Sequence, residues 1–223
     1  MNYLSRYFIV IIMLFFWACG GSQKQAGEEE SEEFAQNAAD TTLFDRVDES
    51  QVFIATTEVD DFDTWKQDFD SAEKAVFDSI FNDLTIHQGF DNPNMVVLTG
   101  HINDVESTRT FFSDRTYEMT YLDLKFRGNN VPETEYGLFV WHEVGDYVSW
   151  LEKFEGEETV REQNGLYCIG FGREMDKPQM VTLYFAVDNV EEATAYINPQ
   201  LAQHIERAGV ENKPVITAVK ILK

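Results

Sequence analysis

The sequence predicts an α+β fold in which two βαββαβ units pack sheet to sheet within one chain, and three observations predict it. The first is an internal repeat: Glu58-Val59 recurs as Glu143-Val144, an offset of 85 residues. The same offset carries Asp61 to Asp146, Trp65 to Trp150, Phe69 to Phe154, Pro93 to Pro178, Met95-Val96 to Met180-Val181, Leu98 to Leu183 and Val105 to Val190. A constant offset across so many residue types marks a duplicated structural unit. The second is the order of periodicities inside each copy, which reads strand, helix, two strands, helix, strand. The third is that the opening strands, Gln51 to Thr57 and Tyr136 to His142, are apolar on both faces. A unit of this order carries helices on one face of its sheet only, so the bare face needs a partner, and the other copy supplies it.

The elements follow in order. Arg6 gives a positive start, and Tyr7 to Trp17 is an apolar stretch too short to span a bilayer, so residues 1–18 read as an export signal rather than a transmembrane helix. Phe16-Trp17-Ala18-Cys19 resembles a lipoprotein signal box, in which Cys19 is diacylated and becomes the mature N-terminus. It departs from that pattern at Phe16, where Leu or Val is usual, and at Trp17, where a small residue is usual. The alternative is a plain cleaved signal with an incidental cysteine. Residues 19–49 then form a tether: from Gly20 to about Asp40 the chain is mostly Gly, Ser, Gln, Ala and Glu, with the run Glu28-Glu29-Glu30-Ser31-Glu32-Glu33. Such a segment buries too little apolar surface to order itself and is extended by its charge. It serves as a spacer, or as an acidic export signal resembling those of Bacteroidota lipoproteins.

The first repeat is placed at residues 50–130 and the second at 131–223. Gln51 to Thr57 and Tyr136 to His142 are strands, each followed by an acidic helix cap, Asp61 or Asp146. Phe62, Trp65, Phe69, Ala72, Val76 and Ile80 make one helical stripe in the first repeat. The second keeps Tyr147, Trp150 and Phe154 but breaks at Gly156, which predicts a shorter helix. Asp91-Asn92-Pro93-Asn94 and Asp176-Lys177-Pro178-Gln179 are hairpin turns. Helices begin after Asp104 and Asn189, and Asn198-Pro199 reads as the start of a further helix ending at Gly209. Tyr121 to Phe126 and Val215 to Leu222 close the two units.

With 223 residues, 43% of them hydrophobic and 14% aromatic, the composition is globular. A formal net charge of -23 repels a phosphate backbone and excludes a nucleic-acid role. The same charge favours solubility beside an anionic membrane. The two cysteines, Cys19 and Cys168, offer no disulfide framework once the first is lipidated.

The strands ending in Glu-Val, the Asp-x-x-x-Trp helix starts (Asp61 to Trp65, Asp146 to Trp150), the Asp-x-Pro hairpins and Ala208-Gly209-Val210 together resemble the dimeric α/β-barrel superfamily, particularly its antibiotic-biosynthesis-monooxygenase-like and stress-responsive domains. The likeness covers roughly residues 50 to 223. It implies two ferredoxin-like βαββαβ repeats forming an intramolecular dimeric α/β-barrel, and hence a monomer. The superfamily includes heme-degrading and quinol-type monooxygenases, isomerases and members without assigned activity, so the fold does not select a function. The Asn-Trp-His arrangement of its heme-degrading members is not recognisable here.

Positions where the repeats differ are the candidates for a site. Trp141 and His142 stand opposite Thr56 and Thr57. His142, at a strand end, has the chemistry of a general base or ligand, and equally that of a histidine bonded to a loop carbonyl. Trp141, Tyr184 and Cys168 are candidate lining of an apolar cavity, or simply core. Cys168 lies in an apolar strand, which points to an inert thiol. His87, His101 and His204 have no spacing partner and read as structural or exposed. No zinc-type spacing and no phosphate-binding glycine loop occurs; Gly170-x-Gly172 reads as a bulge. The metal expectation is therefore none, and no cofactor is expected. The leading functional expectation is a lipid-anchored domain of the cell envelope, at the outer membrane, that binds a small apolar ligand or a partner protein. The alternative is a cofactor-independent monooxygenase or isomerase acting in the barrel cavity through His142.

Overall fold

A computed structural model describes residues 50–128, 131–208 and 214–222. The expected signal segment, Cys19 and the acidic tether lie outside the described residues, as does Gly209, the expected end of the last helix. The first repeat runs β1 (Gln51–Glu58), α1 (Phe62–Asp68), a π-helical turn (Phe69–Glu73), α2 (Lys74–Ile80), β2 (Asn82–Gly89), β3 (Met95–Ile102), α3 (Val105–Phe112) and β4 (Glu118–Arg127). The second runs β5 (Tyr136–Glu143), α4 (Tyr147–Gly156), α5 (Glu158–Gln163), β6 (Leu166–Glu174), β7 (Met180–Val187), α6 (Val190–Ala208) and β8 (Val215–Ile221).

The strand order is β1-β3-β2-β8-β5-β7-β6-β4, and antiparallel pairing of β4 with β1 closes it into a barrel. Each repeat contributes the ferredoxin-like order, β4-β1-β3-β2 and β8-β5-β7-β6. The halves therefore join at their edges as well as face to face: β2 pairs with β8 through His87↔Ile221, and β4 pairs with β6 through Leu122↔Glu174. Closure leaves no strand edge of the barrel unpaired.

The caps read from the sequence form at corresponding positions. The backbone N–H of Thr64 donates to Asp61 Oδ1 at 2.8 Å, and Ser149 does the same to Asp146 at 2.7 Å. Ser107 donates to Asp104 at 2.7 Å and Glu192 to Asn189 at 3.0 Å. Accepting these bonds holds the three aspartates below the usual carboxylate range. Both prolyl turns close with a backbone bond, Met95 N to Asn92 O at 2.9 Å and Met180 N to Lys177 O at 2.8 Å. The bulge expected in β6 falls between Cys168 and Gly170.

Two local expectations are corrected. The apolar stripe of the first helix does not run on through Ala72 and Val76, which are exposed; Phe77 is fully buried instead. The π-helical turn at Phe69–Glu73 explains the shift, because it holds one more residue than an α turn and moves the buried face one position along the chain. Asn198-Pro199 does not start a new helix: α6 runs unbroken from Val190 to Ala208 with Pro199 inside it. Pro199 removes one N–H from the ladder without ending the helix.

Three cores result. Phe53, Phe62, Phe69, Phe77, Phe81 and Phe112 pack beneath the helices of the first repeat. Leu138, Val140, Leu166, Leu183, Phe185 and Ile197, among others, pack beneath those of the second. Inside the barrel sit Ile54, Val97, Leu122, Phe139 and Val219, with Val52, Met95, Trp141 and Tyr184 against them.

Candidate functional site

The sheet of the second repeat has a different cavity on each face. On its inner face, strand alternation turns Thr182 and Tyr184 of β7 into the barrel, while Leu183 and Phe185 turn toward the helices. A cavity of about 190 Å³ opens there. Its wall is mostly apolar, formed by Val52, Ile54, Leu122, Leu124 and Phe139, with Gly170 and Gly172 contributing no side chain. Asp83, Thr85 and His101 form a polar rim, where Asp83 takes the left-handed backbone (φ 53°) at the irregularity in β2. Thr182, 2% exposed, lines the cavity, and its Oγ1 has no hydrogen-bond partner among the described residues.

Behind this cavity lies a packed aromatic group. The rings of Phe139 and Tyr184 stack at 4.2 Å with 4° between their planes, and His87 meets both edge-on at 5.5 and 5.4 Å. The Tyr184 ring fits because residue 137 is glycine: a Cβ there would stand 2.6 Å from Tyr184 Cε2. Tyr184 Oη lies 3.4 Å from His87 Nδ1, and His87 Nε2 has no partner among the described residues. Burial drives the His87 pKa down to about 4, so the ring is neutral at pH 7, and burial also raises the Tyr184 hydroxyl above its usual value.

On the outer face of the same sheet, a smaller cavity of about 70 Å³ lies under the helices. It is lined by His142, Trp150, Phe154, Glu157, Arg161 and Tyr196, among others. His142 is buried, with its ring 6.0 Å from that of Trp150.

The candidate residues are thus divided between the faces. Trp141 and Tyr184 are inside the barrel, and Tyr184 lines its cavity. His142 does not reach that cavity, because the phase of β5 turns it outward with Leu138 and Val140. Cys168 is corrected in the same way: it packs with the outer core of the second repeat, and burial pushes its thiol up to about 12, which suits an inert group. Two histidines among the described residues face the barrel, His87 buried inside it and His101 at the rim of its cavity, both read from the sequence as structural or exposed. Among the described residues no group of three or more His, Cys, Asp or Glu is placed to hold a metal, and no helix is long and apolar enough to cross a membrane.

No family model and no curated protein sequence matches the chain. Solved structures do. A structure described as an anthrone oxidase-like protein superposes with a TM-score of 0.57 at 14% identity, covering 79% of this chain and 92% of that one. An uncharacterized ferredoxin-fold protein related to antibiotic biosynthesis monooxygenases, from Listeria monocytogenes, gives 0.53 at 9% identity, covering 82% and 99%. A monooxygenase-like protein from Listeria innocua gives 0.52 at 9%, also covering 82% and 99%. At such identities the likeness establishes the fold alone: ferredoxin-like α+β units closed into an α/β barrel, carried here by one chain.

Proposed function

We propose that the barrel cavity binds one small, largely apolar molecule bearing a single polar atom, on a domain that the lipidated Cys19 holds at the cell envelope. The observation that carries the reading is the 190 Å³ apolar cavity with the buried, unpartnered Thr182 hydroxyl in its wall. An apolar cavity of roughly 150 Å³ is already enough to take up benzene. An unsatisfied buried hydroxyl costs about 1–3 kcal/mol, which a ligand hydroxyl or carbonyl would recover. The closed barrel offers no free edge to a second copy, so the tethered domain acts as a monomer. Phenol and toluene, nearly equal in shape, test the cavity. The full chain should bind phenol about tenfold more tightly, and Thr182→Val should erase that preference while leaving toluene binding in place. Failure of both probes to bind rejects the reading. Labelling with an alkyne-tagged fatty acid tests the anchor, since Cys19→Ala should lose all label.

A second reading, supported by structural neighbours described as monooxygenase-like or as related to antibiotic biosynthesis monooxygenases, puts chemistry in the outer cavity with His142 as base. It requires dioxygen uptake by the full chain on addition of a hydroquinone, lowered about 10²–10⁴-fold by His142→Ala. No uptake by the unaltered protein dismisses it.

A further inference from the structure

Arg161 of α5 is 6% exposed, beneath the helices of the second repeat. Its Nη1 donates to the carbonyl oxygen of Phe154, and its guanidinium carbon lies over the Phe154 ring, 3.7 Å from the centroid. Among the described residues its Nη2 is buried with no hydrogen-bond partner, and no ion pair involves it. A guanidinium stays charged in proteins, so a buried end of a cation is left with no carboxylate in direct contact, a costly arrangement. The fold does not require a charge here: the constant offset matches Arg161 to the exposed Val76, and the buried place beside it, against Phe69, is held by the apolar Phe77.

The 70 Å³ cavity lined by Arg161 fixes the chemistry of an occupant. Its size suits an anion of acetate or formate dimensions. The guanidinium fork matches a carboxylate, and the aromatic and aliphatic walls, Trp150, Phe185 and Ile197, suit a short apolar tail. Glu157 also lines it, and Glu157 and Glu158 already act on Arg161 through space, which disfavours a doubly charged anion such as phosphate. We propose that Arg161 anchors a binding site for a small monocarboxylate between α4, α5, α6 and the outer face of the second-repeat sheet, separate from the barrel cavity.

The test is thermal unfolding of the full chain in sodium acetate and in sodium chloride at matched ionic strength and pH 7. Acetate raises Tm by about 2–4 °C more than chloride near saturation. Arg161→Met, which substitutes a flexible apolar side chain for the buried charge, folds at least as well in chloride and shows no acetate-specific rise. Octanoate distinguishes sources: tighter binding than acetate assigns the site to the carboxyl end of an acyl chain, and equal binding to a free short acid. Equal Tm in acetate and chloride, or an acetate rise that survives in Arg161→Met, overturns the proposal.

Discussion

The two repeats share a skeleton and fill it in opposite ways. Facing the barrel, the first offers Val52, Ile54, Thr56, Thr85, His87 and Thr99; at the same positions the second has Gly137, Phe139, Trp141, Gly170, Gly172 and Tyr184. Bulk and absence alternate in the second repeat, so the barrel is packed with rings where Phe139, Tyr184 and the first repeat's His87 meet, and open beside Gly170 and Gly172. The outer faces differ as well. A phenylalanine core packs the first, whereas the second encloses a charged side chain and a cavity. The repeat sets the strand pairing, and the asymmetry between copies is what leaves the two cavities.

The largest effect expected from breaking this comparison lies on the outer faces. Phe69 and Phe154 occupy the same position, each stacked on its tryptophan at 5.1 and 5.0 Å. Phe69→Ala should cost about 3–5 kcal/mol in urea unfolding, because the close-packed first core cannot collapse around the hole. Phe154→Ala should cost at least about 1 kcal/mol less, since water entering beside the existing cavity solvates Arg161. Equal losses would show the two faces to be energetically alike.

Next in size is the pH dependence set by His87. Its folded pKa of about 4 lies below the unfolded value near 6.5, so between these limits the unfolded chain binds the extra proton. Stability from the neutral ring is complete above about pH 6.5 and lost progressively as the pH falls toward 4. The loss is on the order of 3 kcal/mol. His87→Leu should lack this component, so the stability difference between the two proteins should change by that amount from pH 7 to pH 4. A pH-independent difference would mean that His87 is protonated, or solvated, within the fold.

His87 also shows where the sequence stopped being legible. Strand spans, hairpins, helix caps and the duplication could all be read, because each depends on local residues or on their recurrence. The direction a strand side chain faces could not. In β2, Leu84 and Ile86 alternate with Thr85 and His87, which resembles a strand with its polar face in water, yet here that polar face is the barrel interior. In β5 both faces are apolar, so no alternation reveals that Trp141 points inward and His142 outward; pairing with β7 and β8 decides it. Arg161 escaped notice because a lone arginine on a short polar helix reads as exposed, and only the packing of Phe154 against it shows otherwise.

A substitution cycle inside the barrel sharpens the contrast directly. Gly137→Val installs the first repeat's residue, and its Cβ collides with the Tyr184 ring, costing about 1–3 kcal/mol. Tyr184→Thr, also the first repeat's residue, empties the space. If the glycine exists to admit the ring, the double variant should be more stable than the sum of the single losses by about 1–2 kcal/mol, measured by urea unfolding. Additive losses would mean that the two positions vary independently.

The smallest effect concerns the π-helical turn, which has no counterpart in the second repeat. Phe69 and Phe77 are eight residues apart and both buried. In an unbroken α-helix, residues seven apart share a face more closely, since two turns take about 7.2 residues. Deleting the exposed Ala72 brings the two phenylalanines to that spacing and lets the turn relax to α-helical bonding, with a displacement of the helix end below one residue's rise, about 1.5 Å. Stability should then change by less than about 1 kcal/mol in either direction. The same operation on α4, deleting Lys153 between Trp150 and Phe154, rotates Phe154 by about 100° off its core face and has no extra residue to absorb it. A deletion at Ala72 as damaging as one at Lys153 would show that the first repeat needs the π turn for more than the spacing of its phenylalanines.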